Sequence, residues 1–499
     1  MKNKFRNTAS IIKAGDLILT EQPFAFVLSS KEKGSRCDNC LEKGKVLKCS
    51  GCQFVHYCGR ACQRDAWNDH KWECANLKRI LPKVIPDAAR LLAKVINRLS
   101  RGDGNSQRAF YSATSFRMWK DLMSHYSDLK TDKKRMDHFT TLCVVLYEFL
   151  KDISLPNTVE LMGIYGRMVI NSFTVLDIDM NSIGTAIYLA SSIVDHSCDP
   201  NAVATFDGKT INIRATKDMP CLDWDQIRIS YIDLMKTPYD RQTELRENYY
   251  FLCQCDRCMG KFQLKHLHAA KCLSSSCSSP VNVPWKDQLL VIKAGKDNKA
   301  EGNQIAENGD SVVNGNHFMN GHVNDELKIE RNVNKHTEAH CDECGTKYTE
   351  NYIDKFVKAM DFTELHLQNM KGASVAYVDV CKFCLERQDG VLHPLNVMHA
   401  QTLDHAFDAL IQVQLWEQAC VYAKSLIPCF RFYYGDCHPL LGLLHLKYGK
   451  ILLYKMEAQQ AMEQLKTSEK ILKITHGDRH PLYKGQLLPL LQQAMVEST

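Results

Sequence analysis

A chain of 499 residues exceeds what one core sustains, since single cores rarely grow past about 250 to 300 residues, so roughly two to four domains are expected. Its 45% hydrophobic and 24% charged residues are those of a globular protein, and a net charge of +6 spread over this length does not mark a nucleic-acid binder. No apolar run approaches the roughly 18 residues that span a bilayer, and no signal-peptide core opens the chain. The expected setting is therefore the reducing nucleus and cytoplasm, where 22 cysteines point to zinc and not to disulfides.

Residues 1–30 read as two strands, Leu17-Ile18-Leu19 and Ala25-Phe26-Val27-Leu28, with a turn at Ala14-Gly15-Asp16. Residues 37–74 carry Cys37-x-x-Cys40, Cys49-x-x-Cys52, Cys58-x-x-x-Cys62 and His70-x-x-x-Cys74. Eight soft ligands in four pairs suffice for two closed tetrahedral zinc sites, and a site filled by four protein ligands is structural, not catalytic. Residues 75–165 read as helical from the apolar spacing in Ala89 to Ile96 and Phe139 to Leu150, with a polar loop at Arg101 to Ser106.

From Tyr165 the chain turns to short strands. A polar turn, Asp195-His196-Ser197-Cys198-Asp199-Pro200-Asn201, follows the apolar run Ile187 to Val194, and a second apolar run ends at Ile229-Ser230-Tyr231-Ile232-Asp233. The turn from Met219 to Gln226 is expected to be peripheral. The segment closes with Tyr249-Tyr250-Phe251-Leu252-Cys253-Gln254-Cys255-Asp256-Arg257-Cys258. Thiols so closely spaced make a poor core and a good half of a metal site, with Cys198 the obvious fourth ligand.

Beyond it lie Cys272-x-x-x-x-Cys277 and Cys341-x-x-Cys344, which read either as a further zinc site or as ordinary free thiols. Most of what separates them, residues 296–334, is rich in Asn, Gly, Asp and Lys and reads as a disordered insertion. Loop closure costs grow only logarithmically with length, so such an insertion is tolerable. Cys381-x-x-Cys384 falls in a helical pattern and reads as buried free thiols. The rest is helical and repeats: Gly435-Asp436-Cys437-His438-Pro439-Leu440 recurs 42 residues on as Gly477-Asp478-Arg479-His480-Pro481-Leu482. Gly449, Ala461 and Leu465 have the relative spacing of the packing positions in a tetratricopeptide helix pair, which predicts a helical lobe with a concave face.

The His196-Ser197-Cys198-x-Pro200-Asn201 turn, the Ser230-Tyr231 pair and the Tyr249-x-Phe251-x-Cys253-x-Cys255-x-x-Cys258 tail resemble the SET and post-SET signature of protein lysine methyltransferases. Together with the N-terminal cysteine pairs they make the chain similar, over nearly its whole length, to the SET-and-MYND (SMYD) family, whose members also carry the Lys13-Ala14-Gly15-Asp16 run. The resemblance implies an α+β fold: a SET β-fold (1–36 and 166–240) split by a MYND zinc finger (37–74) and a helical insertion (75–165). A post-SET zinc site (241–260), a ribbon segment (261–350) and a C-terminal α-helical TPR-like lobe (351–499) would follow. In the finger the pairs would interleave, Cys37, Cys40, Cys58 and Cys62 on one zinc and Cys49, Cys52, His70 and Cys74 on the other. Three zinc ions are then expected, with a fourth if Cys272, Cys277, Cys341 and Cys344 converge.

The same resemblance implies an S-adenosylmethionine-dependent protein-lysine N-methyltransferase, a chromatin regulator acting on histone or non-histone lysines. Tyr231 would be the catalytic tyrosine, with Tyr249 and Phe173 lining the lysine channel. Phe251 would stack on the adenine, and Asn171, Asp195, His196 and Tyr231 would form the cofactor pocket. The finger would bind proline-rich partner peptides, with DNA a weaker partner, and the architecture needs no second copy. There are two departures. The family's Gly-x-Gly cofactor loop upstream of Lys13 is replaced by Met1-Lys2-Asn3-Lys4-Phe5, so the SET N-terminus reads as truncated, and the family favours asparagine where this chain has Asp195. Both favour the alternative, a catalytically inactive scaffold or transcriptional co-regulator.

Overall fold

The computed structural model describes residues 11–151, 153–286, 289–293, 328–331, 339–370 and 377–498. Among these, no helix is long and apolar enough to cross a membrane. The Met1 to Phe5 departure lies outside the described residues, as does most of the expected insertion. The end of that insertion is not irregular: Lys328–Arg331 is a strand paired antiparallel with Leu289–Lys293.

Two three-stranded antiparallel sheets form the β core. In one, Thr210–Ala215 lies between Leu17–Glu21 and Ala202–Asp207. In the other, Ser182–Ile187 lies between Ala25–Leu28 and Ser172–Leu176. The two early strands therefore belong to different sheets and do not pair with each other. The central strand of the first sheet alternates as a half-buried strand should: Ile211, Ile213 and Ala215 are buried, with half-buried neighbours between them. A short parallel pair, Asp195–His196 beside Arg228–Ile229, carries the polar turn.

The finger docks on the hairpin between Ala202–Asp207 and Thr210–Ala215. Gly208 turns that hairpin at φ +55°, and a Cβ there would lie 2.7 Å from the Cys40 carbonyl oxygen. Lys209 Nζ donates to Asn39 Oδ1 at 2.8 Å from the same tip. The helical block follows as Asp87–Ser100, Lys133–Phe149 and Thr158–Asn171, the last two started by Asp132 and Asn157 accepting the backbone N–H groups of Arg135 and Glu160. The third helix runs to Asn171, past the expected boundary at 165, because Leu161, Ile164, Tyr165 and Met168 keep a buried helical stripe. The turn at Met219 to Gln226, expected at the periphery, is tied in: Met219 exchanges backbone bonds with Ile12, and Trp224 packs edge-on against Tyr111 at 5.3 Å.

The C-terminal region stacks Glu350–Met370, Val378–Gln388, Val397–Gln412, Trp416–Tyr434, Pro439–Tyr454 and Ala458–Thr475, with a terminal helix at Leu488–Glu497. Gly449 allows the close approach of two of them, since a Cβ would meet Leu465 Cγ at 2.7 Å. The repeated histidine has a defined task. His438 Nδ1 accepts the Leu440 N–H and His480 Nδ1 the Leu482 N–H, each at 3.2 Å, starting the next helix. A third copy went unnoticed in the sequence: His393-Pro394-Leu395 makes the same bond at 3.1 Å. In the outer copies Nε2 fastens the helices to other elements, His393 to the Ser278 carbonyl at 3.1 Å and His480 to the Phe206 carbonyl at 2.8 Å.

Candidate functional site

The aromatic residues singled out from the sequence surround Tyr231, which the strand Arg228–Ile229 delivers beside the polar turn. Its ring centroid lies 5.0 Å from that of Tyr249 and 5.3 Å from that of His196, and Phe251 is 5.9 Å from His196. Two bonds fix Tyr231: its hydroxyl donates to the Val194 carbonyl at 2.6 Å, and its backbone N–H donates to His196 Nδ1 at 3.0 Å. His196 Nε2 lies 3.2 Å from Cys198 Sγ, so both ring nitrogens are engaged and the ring ties the tyrosine to the thiol cluster. Burial pushes the Tyr231 and Tyr249 phenols up, with the Asp195 carboxylate acting in the same direction on Tyr231, so both stay protonated at neutral pH.

Asn171, Phe173, Tyr231 and Tyr249 line one cavity of about 210 Å³. Leu176, Ala204, Ile229, Ser230 and Tyr231 line both this cavity and a cleft of about 940 Å³, which continues to Tyr434 and His438 of the C-terminal helices. The small cavity thus adjoins the cleft at Tyr231. Asp233 borders the cleft and accepts the Tyr434 hydroxyl at 2.7 Å. Asn171, the last residue of its helix, donates its amide nitrogen to the Met123 and Arg167 carbonyls, both at 2.8 Å, and Oδ1 has no donor among the described residues. Asp195, His196 and Phe251 are not among the residues lining the small cavity; the His196 ring packs beside both Tyr231 and Phe251. Arg117, not singled out in the sequence, lies near them: the Asp195 carboxylate acts on its guanidinium, and its own charge acts on Tyr231. An arginine in a short strand pair of the helical block carries no local signal of this role.

The sixteen predicted metal ligands form four groups, Cys37, Cys40, Cys58 and Cys62; Cys49, Cys52, His70 and Cys74; Cys198, Cys253, Cys255 and Cys258; and Cys272, Cys277, Cys341 and Cys344. Within each group all ligand atoms lie within 4.8 Å of one another. A tetrahedron with zinc–sulfur arms of about 2.3 Å has edges of about 3.8 Å. The separations match: Cys40 to Cys58 is 3.8 Å, Cys49 to Cys74 is 3.9 Å, and Cys198 to Cys253 is 3.9 Å. The groups therefore fit a tetrahedral dication, each with four protein ligands. The second group has a carboxylate behind its histidine: His70 Nδ1 donates to Glu73 Oε1 at 3.1 Å while Nε2 faces Cys52 at 3.6 Å. Cys381 and Cys384 join no group. They lie within the helix Val378–Gln388, where the Cys381 thiol contacts Met370 Sδ at 3.7 Å.

Residues 37–74 match the family model of the MYND finger. Histone-lysine N-methyltransferase SMYD3 of Mus musculus is 25% identical over 485 residues, covering 96% of this chain and 92% of that protein. Histone-lysine N-methyltransferase ASHR1 of Arabidopsis thaliana is 24% identical over 505 residues, 99% of this chain and 93% of its own length. N-lysine methyltransferase SMYD2 of Gallus gallus is 24% identical over 469 residues, 94% of this chain and 90% of its own. With a MYND finger at its expected place, this chain is similar along nearly its whole length to lysine methyltransferases of the SET-and-MYND type.

Proposed function

We propose that the protein is an S-adenosylmethionine-dependent protein-lysine N-methyltransferase, its β core a SET domain split by the finger and the helical block, its C-terminal helices a TPR-like lobe. The relatives' names support the reaction class. The observation that carries the reading is the aromatic cavity that shares its Tyr231 wall with a cleft of about 940 Å³. A volume of about 210 Å³ is below the 300 to 1,000 Å³ range typical of cofactor-sized ligands and suits an alkylamine stem.

The cofactor belongs beside Tyr231, among the residues that do not line the small cavity. There an exposed carboxylate (Asp195), a guanidinium (Arg117) and the face of Phe251 complement a ligand with an amino-acid group, a cationic centre and a purine. When bound it would supply a methyl group on a sulfonium. The chain's own residues do the rest. An in-line displacement needs alignment more than acid or base strength. The lysine must arrive neutral although its ordinary pKa is about 10.4, and a cavity walled by Phe173, Tyr231 and Tyr249 disfavours the ammonium, which sheds its proton to solvent on entry. Because the Tyr231 hydroxyl spends its proton on Val194, its oxygen offers only lone pairs and so accepts an N–H of the incoming amine, orienting it. The finger would serve as the site for proline-rich partner peptides.

Calorimetry of the zinc-loaded full chain with S-adenosylmethionine, followed by methyl incorporation into a lysine peptide array, tests the reading. Binding and incorporation are expected, with incorporation falling at least tenfold and binding kept in Tyr231→Phe. Absence of binding by the folded, zinc-loaded chain overturns it in favour of a scaffold.

A further inference from the structure

The group Cys272, Cys277, Cys341 and Cys344 lies outside the cleft, the cavity and the finger. We infer that it is a fourth structural zinc site, a tetrathiolate that fixes the C-terminal helices to the segment following the Cys258 cluster. Its sulfurs have the separations of a tetrahedral edge, Cys272 to Cys344 at 3.5 Å and Cys277 to Cys341 at 3.8 Å. A disulfide would hold two of them at about 2.05 Å, and all four cysteines are free.

The stronger observation is the backbone around the later pair, which repeats the first turn of the finger bond for bond. In the finger, Cys37 N–H donates to the Glu42 carbonyl at 3.0 Å, and Leu41 N–H donates to the Cys37 carbonyl at 3.0 Å with Leu41 at φ +67°. Arg36 pairs with Lys43 across it. In the later pair, Cys341 N–H donates to the Thr346 carbonyl at 2.9 Å, and Gly345 N–H donates to the Cys341 carbonyl at 2.9 Å with Gly345 at φ +69°. His340 pairs with Lys347 at the same offset. The second finger turn shares the core of this arrangement, Gln53 N–H donating to the Cys49 carbonyl at 2.9 Å with Gln53 at φ +56°. Leucine and glutamine tolerate a left-handed residue only at a cost, so this turn is imposed by the need to aim two sulfurs at one point. At position 345 glycine supplies it without strain. The same Cys-x-x-Cys spacing without that turn, at Cys381 and Cys384, is helical and joins no cluster.

The site's neighbours say what the metal holds. The strand entering Cys272 is stitched to the His393 turn: Lys271 N–H donates to the Val391 carbonyl at 2.8 Å, His393 N–H to the Ala269 carbonyl at 3.0 Å, and His393 Nε2 to Ser278. Tyr348, just past Cys344, accepts the Leu273 N–H at 3.1 Å. The His393 turn begins the helix Val397–Gln412, whose Gln401 donates to the Met235 carbonyl at 2.8 Å, two residues from Asp233 in the cleft wall. Four thiolates on one zinc join chain segments more than sixty residues apart into the pedestal of that helix.

The test is the zinc content of the full chain, purified in zinc-supplemented buffer without chelator and measured by inductively coupled plasma mass spectrometry. Four zinc ions per chain are expected in the wild type, four in the doubly substituted Cys381→Ser, Cys384→Ser chain, and three in Cys341→Ser, Cys344→Ser. A wild-type count of three overturns the inference even if the last variant fails to fold. A disulfide among the four cysteines, found by alkylation and peptide mapping of the unreduced chain, overturns it as well.

Discussion

Glu73→Gln isolates a buried charge that holds the finger to the helical block. Glu73 is 1% exposed and follows the zinc-ligand candidate His70 by one turn of the helix Arg60–Ile80. Arg90 grips it with two bonds, Nε to Oε2 at 3.1 Å and Nη2 to Oε1 at 2.9 Å, while Arg90 Nη1 reaches Asp38 Oδ1 at 3.0 Å. Burial pushes the carboxyl up, but Arg90 and Lys94 outweigh it and hold Glu73 ionised, well below the usual carboxylate range. The amide leaves buried Arg90 and half-buried Lys94 facing Asp38 as the remaining carboxylate of the group, so one positive charge is uncompensated. Removing one partner of a buried pair costs about 3 to 5 kcal/mol, and the amide's retained oxygen places this change near about 3 kcal/mol. The oxygen that accepts from His70 also becomes a weaker acceptor, and loss of such an outer partner weakens metal binding by about 10- to 100-fold. Urea unfolding and competition with a chromogenic chelator measure the two effects. A variant within about 0.5 kcal/mol of wild type that surrenders zinc at the wild-type rate would refute the reasoning.

Other outcomes follow from the same geometry. Gly477→Ala should destabilise by about 2 kcal/mol, since its φ of +83° strains alanine and its Cβ would lie 2.4 Å from Arg214 Nη2, displacing Arg214 from the Gly15 carbonyl it bonds at 2.8 Å. Gly435→Ala, with φ +85° and nothing within 4 Å, carries the backbone strain alone and should cost about half as much by thermal unfolding. Burial lowers His399 and His438 to about 4, so both stay neutral when folded and protonate near pH 6.5 when unfolded. Their contribution is fully present above pH 6.5 and is lost as pH falls toward 4; a Tm-against-pH profile should flatten over that window in His399→Gln. Glu21 accepts from the Ala190 N–H and from the N–H and hydroxyl of Ser191 at 2.7 to 2.9 Å, so Glu21→Ala strands three donors and should lower stability by at least about 2 kcal/mol in urea unfolding.

The metal groups were legible because their information is local: ligands a few residues apart on tight turns leave few ways to close a tetrahedron. Pairing Cys272 and Cys277 with Cys341 and Cys344 was harder, since a long intervening stretch hides which turns meet, and spacing alone left free thiols as an equal reading. The gathering of Phe173, Tyr231 and Tyr249 came from resemblance; periodicity says only that each sits at a strand or helix end. What went unread were single polar residues acting across the fold. Glu73 and Arg90 look like surface charges on amphipathic helices, and Arg117 sits in a two-residue strand. The third His-Pro-Leu turn did carry a signal, the bare tripeptide at 393 to 395, but it lacks the Gly-Asp prefix by which the other two were matched.

Those three turns bear on how a polypeptide would be received. Accepting a backbone N–H at Nδ1 forces a neutral imidazole to carry its proton on Nε2, so each copy presents an N–H outward. At the two ends that N–H is already spent on a carbonyl of a neighbouring segment. The middle one, His438, has no such carbonyl among the described residues and borders the cleft with its ring stacked 4.5 Å from Tyr434. A fastening used twice to hold the protein to itself is thus left open once, at the place where a visiting main chain would bring the missing carbonyl.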